Sequence, residues 1–78
     1  MSQSALEHYA YDLGQLLKAE AIEAAAKRDA AKPSERPFYE GLSLAYINVL
    51  QLILGQAKAF NIDPEVFHLE DFDPDQLH

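Results

Sequence analysis

The chain has 78 residues, no cysteine and a formal net charge of −7, with an isoelectric point near 4.6. That charge has the wrong sign for a protein that grips nucleic acid directly by neutralising phosphates, and without cysteine no disulfide can brace so small a domain. A domain of about 60 residues buries only roughly 60% of its unfolded surface, so association with another chain is the remaining common source of stability.

Met1 to Leu13 carries neither a basic region nor a long apolar run, so no secretory signal is expected and the chain reads as cytoplasmic. Near Ser2 or Ser4 the first helix begins. Ser4 stands three residues before Glu7 in the arrangement of a capping box, and the helix is predicted over 1–31. Leu6, Tyr9, Ala10, Leu13, Leu17, Ala21 and Ala24 recur at helical spacing and form its expected core face. Glu23 and Lys27 are spaced for a supporting ion pair on the outer surface.

Pro33 and Pro37 each disfavour helix in the residue before them, so the first helix must stop here. Pro37 suits the first turn of a second helix, predicted over 37–60. Asn61 can take the left-handed conformation that closes it. So short a connection makes the two helices antiparallel neighbours, with Ala24 level with Ala45 and Leu17 level with Leu52.

From Gly41 to Ala57 no residue is charged, and the second helix is apolar around more of its circumference than one neighbour can cover. Phe38, Leu42, Ala45, Val49, Leu52, Ala59 and Phe60 form one stripe, assigned to the first helix. A second stripe of Tyr39, Tyr46, Ile47, Leu50 and Leu54, continued by Ala57, is then left for another partner. A membrane span needs about 20 predominantly apolar residues, and Ser43, Asn48, Gln51, Gly55 and Gln56 interrupt this shorter run, so no membrane is expected. Gln56 is placed toward the core stripe, where a polar residue can fix register.

The acidic segment 61–78 follows. Asp63 can cap a short helical turn with Pro64 in its first position, bringing Val66, Phe67 and Leu69 over the open end of the hairpin. Asp73-Pro74-Asp75 can repeat that cap, and the last residues through His78 are expected to fray. Lysine and arginine cluster at Lys27, Arg28, Lys32 and Arg36, and none follows Lys58.

Chemistry is sparse. Glu20 and Glu23 place two carboxylates on adjacent turns, half of what a di-metal helical site needs. His8 has Glu7 beside it and Asp12 four residues on, but zinc requires three or four convergent ligands. Asp71, Asp73 and Asp75 alternate like the opening of a calcium loop, yet Gln76 occupies the position where such a loop requires glycine. Gly14, Gly41 and Gly55 are isolated, so no phosphate loop exists, and no serine or threonine has a histidine and an acid at readable spacing. The expectation is no enzyme, no cofactor and no metal.

The sequence therefore predicts an all-α, antiparallel two-helix hairpin with a short C-terminal helical turn, forming a single domain over 1–78. Two copies are expected to associate as a dimeric four-helix bundle through Tyr39, Tyr46, Ile47, Leu50 and Leu54. The basic connection of one copy is expected near the acidic segment of the other. Functionally this is a homodimeric interaction or regulatory module, with Glu70, Asp71, Phe72 and Asp73 as the docking segment for a basic protein surface. A nucleic-acid-mimicking inhibitor from a mobile element ranks second, because its acids should be spread along a face. Half of a heteromeric helical complex ranks third.

Overall fold

The computed structural model describes residues 4–77. Helix α1 spans Ala5–Ala30 and α2 spans Arg36–Ala59; two 3-10 turns follow, Pro64–Phe67 and Pro74–Leu77. The chain is an all-helical hairpin, and its described residues contain no strand. The suggested start near Ser2 and the fate of His78 lie outside the described residues.

Local chemistry sets the boundaries. The Ser4 hydroxyl accepts from the Glu7 amide at 3.1 Å while the Glu7 carboxylate accepts from the Ser4 amide at 3.2 Å, a complete capping box. That satisfies two of the four amides a helix start leaves unpaired. Pro37 sits in the first turn of α2. At the far end Asn61 is left-handed, with φ 56°. The Asn61 amide donates to the Lys58 carbonyl and that of Ile62 to Ala57 at 2.7 Å, the double closure that uses two carbonyls of the last turn.

The two helices lie antiparallel. Arg28 reaching Ser43 and Tyr46 reaching Glu20 straddle the expected Ala24–Ala45 level.

The face that α2 turns inward differs from the expectation. Ser43, Ile47, Leu50 and Ala57 are the buried residues of α2, and Ile47 and Leu50 are 0% exposed. Tyr39 is half-buried, and Tyr46 and Leu54 pack against the core. The set assigned to a dimer interface is thus the inner face of α2 within one chain, and Ile47 and Leu50 have no surface left for a partner. Leu52 and Phe60, assigned to the core, are 68% and 71% exposed, and Gln56 is exposed as well. The cause is a third wall. Between two apolar stripes on α2, burial favours the one that can meet both α1 and the tail, and Leu50 there meets Ala21 and Leu69 together.

The tail provides that wall. After Asn61 it runs beside the hairpin, level with Gly14 at Phe67 and with Arg28 at Leu77. Leu69 joins Ala21 and Leu50 in the central cluster, and Phe67, Phe72 and Leu77 pack against it. The tail is therefore a third packed layer along the hairpin and not a cover over its open end. Pro74–Leu77 forms an ordered turn where fraying was expected.

On α1 the buried residues are Gly14, Ala21, Ala24 and Ala25. Leu6 and Tyr9, placed in the core by their spacing, are exposed. The chain leaves α2 after Ala59 and passes to the Gly14 side of α1, so nothing covers the first turns of α1 on the side where α2 would have continued.

Candidate interaction surface

Two basic residues of α1 pin the tail. The Lys18 ammonium donates to the His68 carbonyl at 3.2 Å, and an Arg28 guanidinium nitrogen donates to the Leu77 carbonyl at 2.6 Å. Both carbonyls stand at the end of a 3-10 turn, where unpaired acceptors and the turn's dipole favour a cation.

The spacing matches. Lys18 and Arg28 are ten residues apart on α1, about 15 Å at the helical rise. The two turns are also ten residues apart and start alike, with Asp63 accepting from the Glu65 amide and Asp73 from the Asp75 amide, each at 3.0 Å. The repeated Asp-Pro cap was visible in the sequence. Its cationic partners on α1 were not, because sequence spacing within the tail says nothing about what lies alongside it.

Arg28 joins all three layers, since it also reaches the buried Ser43 hydroxyl at 3.4 Å and the Asp29 carboxylate at 3.0 Å. Arg28→Met should cost about 1.5–3 kcal/mol, the usual worth of hydrogen bonds to a charged group, and should free the second 3-10 turn. Limited proteolysis beyond Phe72, faster in the variant than in the parent, is the expected readout.

Of the basic cluster, Arg28 meets the tail within one chain, at the Leu77 carbonyl. Of the expected docking segment, Glu70, Asp71 and Asp73 are exposed, but Phe72 is half-buried against the core cluster and is not offered to a partner. Glu70 lies 4.0 Å from the His68 ring, which itself stands 4.5 Å from the Tyr11 ring.

Glu20 and Glu23 are engaged separately. Glu20 accepts from the Tyr46 hydroxyl at 3.5 Å and Glu23 pairs with Lys27 at 3.2 Å. Among the described residues no three histidine, aspartate or glutamate side chains converge as metal ligands would.

Two pairs on the surface carry shifted protonation. The hydrogen bond from Arg28 holds the Asp29 carboxyl below its ordinary value. The folded form then binds that proton less readily than the unfolded chain, so the stabilisation is present above about pH 4 and is lost as pH falls through the lowered value. Lys27 is raised by its hydrogen bond to Glu23, and its contribution is complete below about pH 10 and fades above it. Asp29→Asn should lower the urea midpoint slightly at pH 7 and by less as the pH falls to 3 and below. An equal loss at both values would show that the ion pair is not the cause.

Large apolar side chains also remain uncovered. Phe38, Leu44, Val49 and Leu52 on α2 and Phe60 just after it, with Leu6, Tyr9, Leu16 and Ile22 on α1, are all exposed. A groove of about 440 Å³ sits at the open end between the first turns of α1 and the beginning of the tail, lined by Leu6, Tyr9, Leu13, Ile62, Val66 and Phe67 among others. The molecule is elongated, 51 × 22 × 16 Å, and exposes 5567 Å². A monomer of its 8.7 kDa mass ordinarily exposes about 4,700 Å². By length and composition alone, α2 also meets the requirement for crossing a membrane.

Compared with protein-family models, with curated proteins and with solved structures, the chain matches none.

Proposed function

We propose that this chain is a small acidic interaction module that pairs with a second copy through the outer face of α2 and presents the tail to a basic protein surface. The observation that carries the reading is the uncovered apolar area. The whole surface of this elongated chain, polar and apolar together, exceeds that of an ordinary monomer of its mass by roughly 800 Å², comparable with what one partner contributes to a standard interface, and Phe38, Val49, Leu52 and Phe60 supply apolar area within it. Exposed apolar patches of several hundred Å² mark interaction sites. Pairing hairpins through this face makes a four-helix bundle, and no catalytic chemistry is assigned to it.

A bilayer is the weaker occupant for the same face. Lys18, Glu20, Glu23 and Lys27 lie on the helix packed beside α2, and lipid around α2 would strip water from that charged edge at a cost of several kcal/mol.

The test is the state of association. Val49→Glu places a charge on the outer face without touching the Ala21–Leu50–Leu69 cluster, and is expected to raise the dimer dissociation constant at least tenfold in sedimentation equilibrium while the helical circular dichroism is retained. A parent chain that stays monomeric at millimolar concentration overturns the reading.

One observation favours the second reading, a mimic of nucleic acid. Asp63, Glu65, Glu70, Asp71, Asp73 and Asp75 are all exposed, and they follow a tail that runs along the hairpin rather than gathering at one end. Lys18 and Arg28 point into tail carbonyls, so the cations nearest that row are engaged. Displacement of DNA from a non-specific basic protein, lost when Asp71, Asp73 and Asp75 are changed together to asparagine, is the result this reading requires.

A further inference from the structure

Among the uncovered features, one knob and one hole stand at opposite ends of the hairpin. Phe38 is 68% exposed in the first turn of α2, and its ring makes an edge contact with Tyr39 at 5.1 Å. The hole is the open-end groove of about 440 Å³. An enclosed apolar cavity of about 150 Å³ admits a benzene ring, and this larger groove, open on one side and lined also by Glu7, has room for a phenyl ring.

We infer that the second copy docks antiparallel on the outer face of α2, and that the Phe38 ring of each copy fills the open-end groove of the other, between Leu6, Tyr9 and Leu13 on one side and Ile62, Val66 and Phe67 on the other. This rests on the self-pairing proposed above and specifies its geometry.

Three observations support it. Ala10 lines the groove and Ala31 stands level with Phe38, so knob and hole are about 30 Å apart along α1 at the helical rise. A two-fold axis midway falls about 15 Å along α2 from Phe38, at Asn48 and Val49. Val49 is three full turns beyond Phe38 and therefore on the same stripe, with Ala45 and Leu52 beside it, all exposed. The small Ala45 lets the paired helices approach closely at the axis. Secondly, no charged residue lies on α2 between Glu40 and Lys58, so the two copies bury no unpaired charge along that stretch. Thirdly, in this arrangement both apolar ends of both copies are covered by one symmetric contact, as a self-complementary two-fold interface requires.

The chain has no cysteine, so introduced thiols report the geometry without background. Val49→Cys is expected to give a disulfide-linked dimer on mild oxidation. Gly41→Cys, one turn from Phe38 and with nothing within 4 Å of its added Cβ, should not link to itself but should link to Ile62→Cys when the two variants are mixed. Phe38→Ala should raise the dimer dissociation constant at least tenfold, with Phe38→Leu recovering part of the loss and neither altering the helical signal. A dimer in which Gly41→Cys links to itself, or fails to link to Ile62→Cys, overturns the antiparallel seating while leaving self-pairing intact. A chain that is monomeric throughout overturns both, and an apolar probe bound by that monomer would assign the groove to a different molecule.

Discussion

Leu50→Ala is expected to destabilise the fold by about 2–5 kcal/mol, the range for removing a fully buried leucine side chain. The site leaves little room for relaxation, since Leu50 is 0% exposed and meets Ala21 from α1 and Leu69 from the tail. A chain of this length has a total stability of about 4–12 kcal/mol, so the loss takes a large share of it. Urea denaturation should show the midpoint falling steeply. Repeating the measurement at a protein concentration low enough to separate copies distinguishes this role from an interfacial one. A core leucine costs the same stability in the monomer, whereas an interfacial leucine costs it only in the dimer. Leu52→Ala is the control, because its side chain is largely exposed in the single chain and should leave the monomer's stability nearly unchanged.

Gly14→Ala should also destabilise, against the sign that helix propensity dictates. In an exposed helix interior, alanine is better than glycine by about 1 kcal/mol. Here a Cβ on Gly14 would overlap the Phe67 carbonyl oxygen and stand 3.0 Å from the Phe67 Cβ. The obstacle is backbone, which cannot rotate away as a side-chain tip can, so the tail must lift from α1. Overpacking of this kind costs about 1–3 kcal/mol, and displacement of Phe67 carries Leu69 out of the central cluster. A peptide of residues 4–31 alone should gain helicity from the same substitution. The opposite signs in peptide and protein would locate the effect in tail docking, and a stabilised protein would disprove the close approach.

Much of the backbone course was legible in the sequence, because caps and breakers act locally. Ser4 with Glu7, the two prolines of the connection, Asn61 and the Asp-Pro starts of both late turns each fix φ, ψ or an amide partner within a few residues. The side that α2 turns inward was not legible. Both of its stripes are apolar and long enough, and the choice depends on a third layer whose position is set by Gly14, Lys18 and Arg28, which lie 49 to 53 positions away in the chain from the tail residues they meet. Gly14 did carry a signal. An isolated glycine inside a helical pattern costs about 1 kcal/mol and implies a packing reason. Glu70, Asp71 and Asp73 are exposed, whereas Phe72, expected with them in the docking segment, is half-buried. An aromatic ring among acids turns inward when an apolar wall passes beneath it.

The long reach of the tail's anchors bears on how the molecule is made. Lys18 meets a carbonyl 50 positions later and Arg28 one 49 positions later, so these bonds close only after the chain through His68 and Leu77 has been made. Sequence-distant contacts form late because their loop entropy must be met first. The helical pair, whose contacts need only a short connection, precedes them. During that interval Ile47 and Leu50 are bare on one flank, and a nascent pair of helices is stickier than the finished protein. A chain truncated before Leu69 should therefore bind hydrophobic dyes, and restoring residues 69–78 should abolish the binding.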